Sequence, residues 1–423
     1  MEEYSEKDNF NSSSPEQNPT PSTSNLPPSQ PSYLNYFHPL NNPKTSQMNS
    51  TKDKLIPRGN IKFLSYNISL YSPVSSISNP LYEEIRLQHF YKELPKYDII
   101  SLQSISSTFS EHKINLIQEA QKKGFYFYST SNPSTNTFSS YSMESGLIIL
   151  SRFPIEKQCY ILYEYGGSYI DTLREKGFLY SKIKIKDYAL HIITTALQSN
   201  EYSSSSKVLL NDLLRECSDI RKEQIKEMFT FIKEGIVDNK EIYNKSDLII
   251  LCGNFNIEQN GYKHLAANTL GIHNELTNEY NVLLMNNKEE LMLENIFDKE
   301  MHIDKTTYGD YNDDSQRFEC YLTQPQYQKS KMILDYIFTV CPSINRQSLL
   351  TQKAFSIQND SLFIEKFLIN HSPLIQISDH YGLSCEIEYT GDTIQQMPLI
   401  EHDDINRDDI ENVPSELKKL LIE

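Results

Sequence analysis

The sequence predicts a mixed α/β sandwich, and two patterns along the chain support this fold class. Short apolar segments rich in Ile, Leu, Tyr and Phe recur after residue 60 and are flanked by Gly, Asn, Asp or Ser, as strands are. Helical patterns alternate with the early segments, whereas strand pairs follow later. The length of 423 residues allows one large domain with tails, or two domains.

Seven of these segments are predicted to be strands. They are Ile61–Tyr66, Ile99–Leu102, Gly146–Leu150, Phe178–Ile185, Tyr188–Thr195, Leu248–Cys252 and Met332–Phe338. Two helices are predicted, over Leu81–Leu94 and Ile220–Glu234, because their apolar residues fall on one helical face. In the second helix Gly235 is expected to act as the stop.

The composition predicts three parts: a disordered tail (1–58), a folded domain (59–390) and an acidic tail (391–423). The first tail holds nine of the 19 prolines among Ser, Asn, Thr and Gln, too few apolar groups to offset the entropy of ordering. The last part has nine acidic and three basic residues and is expected to be solvated.

Charge and cysteine content limit the possible partners and locations. The net charge of −16 disfavours a long nucleic-acid duplex, which binds basic surfaces. No stretch reaches the roughly 18 apolar residues of a membrane helix, and the polar N-terminus does not resemble a secretory signal. The six cysteines are scattered without a CxxC pair, which favours reduced thiols in a cytoplasmic protein over disulfides or zinc.

Polar residues follow several predicted strands. Asn67 comes after the first strand, and Asn254 and Asn256 come after Leu248–Cys252. Such residues converge in the crevice at the strand ends of an α/β sheet, where ligands bind. Asparagine also bonds turn backbone readily, so a purely structural role is the alternative for each of them.

An acidic residue and a histidine are the stronger candidates. Asp335 lies among apolar neighbours in Ile333–Phe338 and is therefore expected to be partly buried. A buried charge needs a partner, and His380, which follows Asp379, is the natural candidate. An aspartate beside a histidine could position a metal ion or a phosphate group and orient an attacking water.

The order of eight motifs resembles the endonuclease/exonuclease/phosphatase superfamily over roughly Asn60 to Tyr389. The motifs are Leu64–Ile68, Asp98–Gln103, Ser145–Ile155, Lys176–Tyr180, Thr195–Ser199, Gly253–Asn256, Leu334–Phe338 and Ser378–Leu383. Within it, Leu150–Ile155, Lys176–Phe178 and Thr195–Ser199 followed by Arg221–Gln224 look most like the neutral sphingomyelinase branch. Deadenylase-type members share some of these motifs.

The resemblance implies a four-layer sandwich of two packed mixed β-sheets flanked by helices, and magnesium-dependent hydrolysis of phosphate esters. It also implies roles for single residues. Asn67 and Asn256 would hold phosphate oxygens or metal-bound water, and Asn67 and Asp379 would help to hold the metal ion. His380 would act at the phosphate, with Asp335 orienting it.

Three positions depart from the family pattern. Ser104 stands where the family has its magnesium-binding glutamate, Asn254 replaces the catalytic aspartate, and Ala196 replaces a histidine. Neutral oxygens suit magnesium poorly, so metal affinity is expected to fall. Glu144 and Glu258 lie near the motifs in sequence as the available acidic residues.

These departures leave three hypotheses open. The first is a catalytically impaired, sphingomyelinase-like domain that binds a phosphate ester or a partner. The second is an active phosphodiesterase with an altered metal shell, and the third is a non-catalytic scaffold. The expected ligands are a small phosphate ester or a lipid headgroup, the latter with peripheral contact to a membrane.

Overall fold

The computed structural model contains two large β-sheets, three two-stranded sheets and three α-helices in its described part. It describes residues 37, 60–70, 80–105, 111–131, 144–167, 171, 174–200, 207–259, 279–285, 291–299, 305–309, 311–312, 317–318, 322, 331–342, 353–371 and 374–390. In chain order the elements are β1 (Ile61–Leu70), α1 (Pro80–Glu93), β2 (Ile99–Ile105), α2 (His112–Lys122), β3 (Phe127–Thr130), β4 (Ile148–Ser151), β5 (Ile155–Leu162), β6 (Gly177–Ile185), β7 (Tyr188–Ala196), α3 (Lys207–Thr230), β8 (Leu248–Asn254), β9 (Leu291–Asn295), β10 (Tyr308–Gly309), β11 (Tyr311–Asn312), β12 (Arg317–Phe318), β13 (Lys331–Met332), β14 (Asp335–Pro342), β15 (Phe355–Ile357), β16 (Phe363–Glu365), β17 (Leu368–His371), β18 (Leu374–Gln376) and β19 (Gly382–Tyr389).

The first sheet has the strand order β15-β19-β1-β2-β4-β3, and β16 also pairs with β19. Its central strands β1 and β2 are parallel, with Phe63 opposite Ile99. A parallel pair needs a crossover connection, and α1 lies in it. The strand β19 returns from the far end of the chain and runs antiparallel to β1.

The second sheet has the order β5-β6-β7-β8-β14-β9. It repeats the same plan, because β7 and β8 are parallel and α3 lies in their crossover. The next strand, β14, runs antiparallel to β8 and places Asp335 opposite Asn254. This register brings two predicted site residues to one end of the sheet.

Apolar side chains fill three layers of core. Between the sheets, Phe63 and Ile149 of the first sheet belong to one buried cluster with Ile250 and Ile337 of the second. Each such side chain stabilises the fold by about 1.5–3 kcal/mol relative to exposure. Outside the first sheet, the buried α1 and α2 residues cluster with β1, β2 and β4, and outside the second sheet α3 clusters with β6–β8. The described elements therefore form the predicted four-layer sandwich.

Both predicted helices are present, but the second is longer than expected. Helix α3 begins at Lys207 and continues as a π-helical segment, Phe231–Val237. Gly235 lies inside this segment and does not end it, so that prediction was wrong. Phe231 and Ile236 are fully buried, and their packing outweighs the roughly 1 kcal/mol that glycine costs in a helix.

Several strands also differ from their predicted bounds. Asn254, which was predicted to follow its strand, is the last residue of β8. The first strand continues past Tyr66 to Leu70, so Asn67 lies inside β1 and does not follow it. The segment Met332–Phe338 is divided between β13 and β14. The division arises at Thr307, whose hydroxyl accepts the backbone N–H groups of both Leu334 and Asp335.

The two predicted tails lie outside the described residues, except for Phe37. Their disorder and their boundaries therefore stay predictions. Within the described ranges, no helix is long and apolar enough to cross a membrane.

Candidate active site

A histidine–aspartate pair lies at the centre of the candidate site. The Nδ1 atom of His380 is 2.8 Å from Oδ2 of Asp335, and the two residues are 7% and 5% exposed. Asp335 begins β14, whereas His380 lies two residues before β19 in the other sheet. The structure thus brings these two predicted residues together across the sandwich.

The amide of Asn67 contacts the other nitrogen of this histidine. Its Nδ2 atom lies 3.2 Å from Nε2 of His380, and its Oδ1 atom accepts the backbone N–H of Ser69 at 3.1 Å. The second bond fixes which end of the amide faces the ring, so Nδ2 donates and Nε2 accepts. His380 in this arrangement is neutral and carries its proton on Nδ1, toward Asp335.

A buried arginine fixes the backbone next to Asn67. Arg86 on α1 donates to the carbonyls of Ile68 at 2.5 Å and Ser69 at 3.0 Å, and also to the carbonyl of Ile377. Ser69 has a φ of 53°, a left-handed conformation that non-glycine residues rarely adopt. Arg86 therefore ties the end of β1 to the segment that leads into His380.

Asp379 and Ser378 complete this segment. The Ser378 hydroxyl lies 2.8 Å from the Asn67 carbonyl and 3.3 Å from the Asp379 carboxylate, and it accepts the backbone N–H of His380 at 3.1 Å. The Asp379 carbonyl accepts the N–H of Gly309. The Ser378 hydroxyl thus contacts both the Asn67 carbonyl and the Asp379 carboxylate.

The two asparagines of the Gly253–Asn256 motif bond to backbone groups, Asn254 within the turn and Asn256 across to the segment after β7. Asn254 Oδ1 accepts the N–H of Asn256 at 3.0 Å, and Asn256 Nδ2 donates to the Leu197 carbonyl at 2.8 Å. Gly253 has a φ of 128°, and a Cβ there would lie 2.1 Å from the Thr195 carbonyl oxygen. Both side chains thus bond to backbone groups, as asparagine readily does.

The three departures from the family pattern lie near this arrangement. Ala196, Asn254 and Asp335 form one row across β7, β8 and β14, since Asn254 is paired with both of the others. Ser104 lies on β2, next to the residue that pairs with Asn67, and has a φ of 62°. Ser104 and Asn254 therefore lie on the strands that pair with those of Asn67 and Asp335, and Ala196 lies on the next strand of the second sheet.

A buried lysine supports the second sheet at this end. Lys176 Nζ donates to the Leu197 carbonyl at 3.0 Å, the carbonyl that also accepts Asn256. It lies 3.1 Å from the carboxylate of Asp171, which also accepts the N–H and the hydroxyl of Ser199. Burial raises the pKa of Asp171, but these cationic and hydrogen-bonding partners outweigh burial and hold that pKa below its usual value.

Charge and burial act in opposite directions on the central pair. Burial lowers the pKa of His380, but the charge and hydrogen bond of Asp335, with a further effect of Asp379, outweigh burial and raise that pKa above its usual value. Burial raises the pKa of the Asp335 carboxyl, and His380 opposes this rise. A proton on the histidine ring is thus stabilised mainly by Asp335.

The two glutamates that lie near the motifs in sequence are bonded to other groups of the fold. Glu144 forms an ion pair with buried Lys113 and accepts the Ser131 hydroxyl at 2.9 Å. Glu258 accepts the backbone N–H of Ile333 at 2.8 Å. Both carboxylates thus bond to groups outside the Asn67–His380–Asp335 series.

The donor set does not fit a magnesium ion. Magnesium prefers carboxylate oxygens in octahedral geometry. Here Asp335 is bonded to His380, which leaves Asp379, whose carboxylate accepts the Ser378 hydroxyl, as the other carboxylate among the predicted site residues. Among the described residues, no group of three or more His, Cys, Asp or Glu side chains is placed to hold a metal ion.

Sequence reasoning missed five residues that position the site. Arg86, Asp171 and Thr307 act through the hydrogen bonds described above, and Lys176 was recognised only as part of a motif. Tyr308 packs its ring against His380 with centroids 4.8 Å apart. Polar residues with partners far away in the chain carry no local periodic signal, so only the motif around Lys176 could have indicated its role.

Comparison with known proteins identifies relatives of the chain. No protein-family model matches it. A sphingomyelinase of Dictyostelium discoideum is 27% identical over 339 residues, which cover 69% of this chain and 71% of that protein. Sphingomyelinase C of Bacillus cereus is 34% identical over 125 residues, 29% of this chain and 33% of that protein, so the match spans about a third of the bacterial enzyme.

Solved structures were also compared with this chain. A magnesium-bound beta toxin variant from Staphylococcus aureus has 18% identity, covers 77% of this chain and 99% of its own, and gives a TM-score of 0.49. The sequence relatives confirm the resemblance inferred from the motifs: the chain is similar to the sphingomyelinase branch of the endonuclease/exonuclease/phosphatase superfamily.

Proposed function

We propose that this chain is a sphingomyelinase-like domain that binds a phosphate ester at the His380 site and hydrolyses it poorly. The likeness to sphingomyelinases supports the substrate class, a phosphodiester such as a sphingomyelin headgroup. The proposed impairment rests on the residues of this chain.

One observation carries the proposal. The hydrogen-bonded series Asn67–His380–Asp335 is intact, whereas the positions around it that the family fills with charged or titrating groups hold Ser104, Ala196 and Asn254. A missing general acid or base alone lowers rates by about 10²–10⁴. Losses of residues that act as a unit are not additive, so the product of three such factors is not expected.

The retained groups have chemistry suited to a phosphate. An arriving phosphate oxygen would compete for the Asn67 Nδ2 group, which now donates to Nε2 of His380. Asp335 holds the ring so that its Nε2 atom faces Asn67, and it stabilises the protonated form. An imidazolium held in this way stabilises the negative charge of the bound ester.

A ligand would reach the site from the more exposed end of the row formed by Ala196, Asn254 and Asp335. Ala196 and Asn256 are half-buried, whereas Asn67, Asp335 and His380 are nearly enclosed. A headgroup would therefore enter past the small side chain at position 196. Binding to a lipid headgroup would place this face of the protein on a membrane surface, without a spanning segment.

The active-enzyme alternative is favoured by the same His380–Asp335 pair. We would measure hydrolysis of sphingomyelin vesicles and of a generic phosphodiester by the full chain, with magnesium or manganese added. We expect a very low rate and weak metal binding by calorimetry. Clear turnover that His380→Ala abolishes would instead establish an active phosphodiesterase.

Ligand binding separates the proposal from a scaffold role. Phosphocholine and inorganic phosphate should raise the melting temperature of the full chain, and His380→Ala should remove this shift. If neither ligand changes the melting temperature, and if removal of residues 1–58 or 391–423 abolishes partner capture, the scaffold hypothesis replaces the proposal.

A further inference from the structure

An aromatic residue from the N-terminal segment lies against the second sheet. Phe37 precedes the first strand by more than 20 residues, yet its ring centroid is 5.6 Å from that of Tyr180 and 5.9 Å from that of Phe231. The Phe37 side chain is half-buried and contacts the cluster between the sheet and α3. This contact is independent of the His380 site.

The receiving surface is built from buried rings. Tyr180 lies on the outer face of β6, and Phe231 follows the end of α3. The two rings lie 5.7 Å apart in an edge-to-face arrangement, and Phe178 packs on Phe231 at 5.1 Å. Edge-to-face and tilted ring pairs are favourable arrangements for aromatic side chains. Phe37 therefore extends an aromatic cluster that is already packed.

Hydrogen bonds beneath this surface hold the Tyr180 ring in place. Its hydroxyl lies 2.9 Å from Nδ1 of His191, whose Nε2 lies 3.1 Å from the Asp247 carboxylate. Tyr180 and His191 are fully buried, and Asp247 is 2% exposed. A ring fixed in this way loses little freedom when another ring docks on it, so the surface is preorganised.

The sequence around Phe37 is distinct from the rest of its segment. Residues 33–40 read YLNYFHPL, with five aromatic or aliphatic residues out of eight, whereas residues 1–58 are otherwise dominated by Pro, Ser, Asn and Thr. A short apolar motif in a polar segment is the pattern of a docking peptide that uses an aromatic anchor. Its connection to the domain gives it a high effective concentration at the surface.

We propose that residues 33–40 form an intramolecular docking segment, with Phe37 as the anchor in the aromatic surface formed by Phe178, Tyr180 and Phe231. The occupant of this surface is the chain's own N-terminal segment. The docked anchor packs against Tyr180 and Phe231.

The absence of tryptophan from the 423 residues permits a direct test in the full chain. Phe37→Trp introduces one tryptophan at the anchor, and Tyr126→Trp, at a position that is 58% exposed, provides the matched control. We expect emission at shorter wavelength and slower acrylamide quenching for Phe37→Trp. Equal wavelength and quenching in the two variants would overturn the proposal.

A second substitution tests the surface. In the Phe37→Trp chain, Phe231→Leu, a change that retains an apolar side chain, should shift emission toward the exposed control while circular dichroism stays unchanged. If the docked signal depends on protein concentration and light scattering detects a dimer, the segment occupies a second copy and the intramolecular proposal fails. If Phe231→Leu unfolds the chain, two other variants decide. Phe37→Ala should lower the melting temperature, and Phe178→Leu in the Phe37→Trp chain should shift the emission spectrum. An unchanged melting temperature and an unchanged emission spectrum overturn the proposal.

Discussion

Asn67 donates its amide to the Nε2 atom of His380 at 3.2 Å, from a position 313 residues away in the chain. Asp335 occupies the opposite side of the same ring at 2.8 Å. Both ring nitrogens are therefore engaged within the protein, and the protonation of this histidine depends on the balance between an amide donor and a carboxylate acceptor.

The pKa of His380 should depend on Asp335. In the unmodified chain it should lie above the usual value of about 6.5, and Asp335→Asn should lower it below that value, because burial then acts without an opposing carboxylate. The measurement is NMR titration of the histidine ring protons, with His380→Asn to assign the signal. Asp360→Asn, at an exposed position, is the control and should leave the titration unchanged.

Stability that comes from the state of His380 should fall as the pH rises. A pKa that is higher in the folded state than in the unfolded chain means that the folded chain binds the proton more tightly. That contribution is fully present below the unfolded pKa and is lost as the pH rises through the folded value. An NMR pKa at or below 6.5 in the unmodified chain would contradict the stabilising role of Asp335.

His191 should have the opposite effect on the pH dependence. Burial lowers its pKa, and Asp247 only partly offsets this effect. Its contribution to stability is present above the unfolded pKa of about 6.5 and is lost as the pH falls toward the folded value, by up to about 1.4 kcal/mol per unit of pKa difference. Urea denaturation between pH 8 and pH 5 should detect this loss.

The variant His191→Gln isolates that effect. It should flatten the pH dependence of the urea midpoint between pH 7 and pH 5, whatever its effect on overall stability. His89→Gln, at a half-buried position on α1, serves as the control for loss of one titrating ring. Equal slopes for His191→Gln and the unmodified chain would show that His191 does not carry the dependence.

Restoring the family residues should raise phosphodiesterase activity. The triple variant Ser104→Glu, Ala196→His and Asn254→Asp adds two carboxylates and an imidazole to the strands around His380. Position 104 has a φ of 62°, which Ser104 already adopts with its own Cβ, so glutamate there should add little backbone strain.

The test is hydrolysis of a phosphodiester with magnesium, and the control is the same triple variant with His380→Ala, which should lose the gained activity. No gain from the triple variant, with the fold intact by circular dichroism, would mean that the surroundings of His380 do not work as the family's site does.

Gly253→Ala should be strongly destabilising. Its φ of 128° is a region that alanine avoids, and the added Cβ would lie 2.1 Å from the Thr195 carbonyl oxygen, which belongs to the rigid backbone of β7. We expect a loss of about 3 kcal/mol or more in the free energy of unfolding. Thermal or urea denaturation measures this loss.

The matched control is Gly382→Ala. An added Cβ there meets the ends of the Phe367 and Leu64 side chains at 2.9 and 3.0 Å, and these can move. Its cost should be clearly smaller than that of Gly253→Ala. Equal costs for the two would show that the backbone of β7 yields as readily as side chains do.

Much of the fold and part of the candidate site could be predicted from the sequence. The apolar segments that predicted strands are buried on both faces, and the order of the motifs predicted the two sheets and their helices. Asp335 was expected to be buried because its neighbours are apolar. These inferences succeeded because hydrophobic periodicity depends on residues that are close together in the chain.

The sequence by itself determined which residue types lie at the strand ends, where acidic groups are replaced, and which side chains are apolar enough to form the core. Only the tertiary structure decided that Asn67 meets His380, that Asn256 donates to the Leu197 carbonyl, and that Phe37 reaches Tyr180. The physical reason is that hydrogen bonds and ring contacts depend on distances of a few ångströms between segments far apart in the chain. No local pattern specifies those distances, and the packing of the two sheets does.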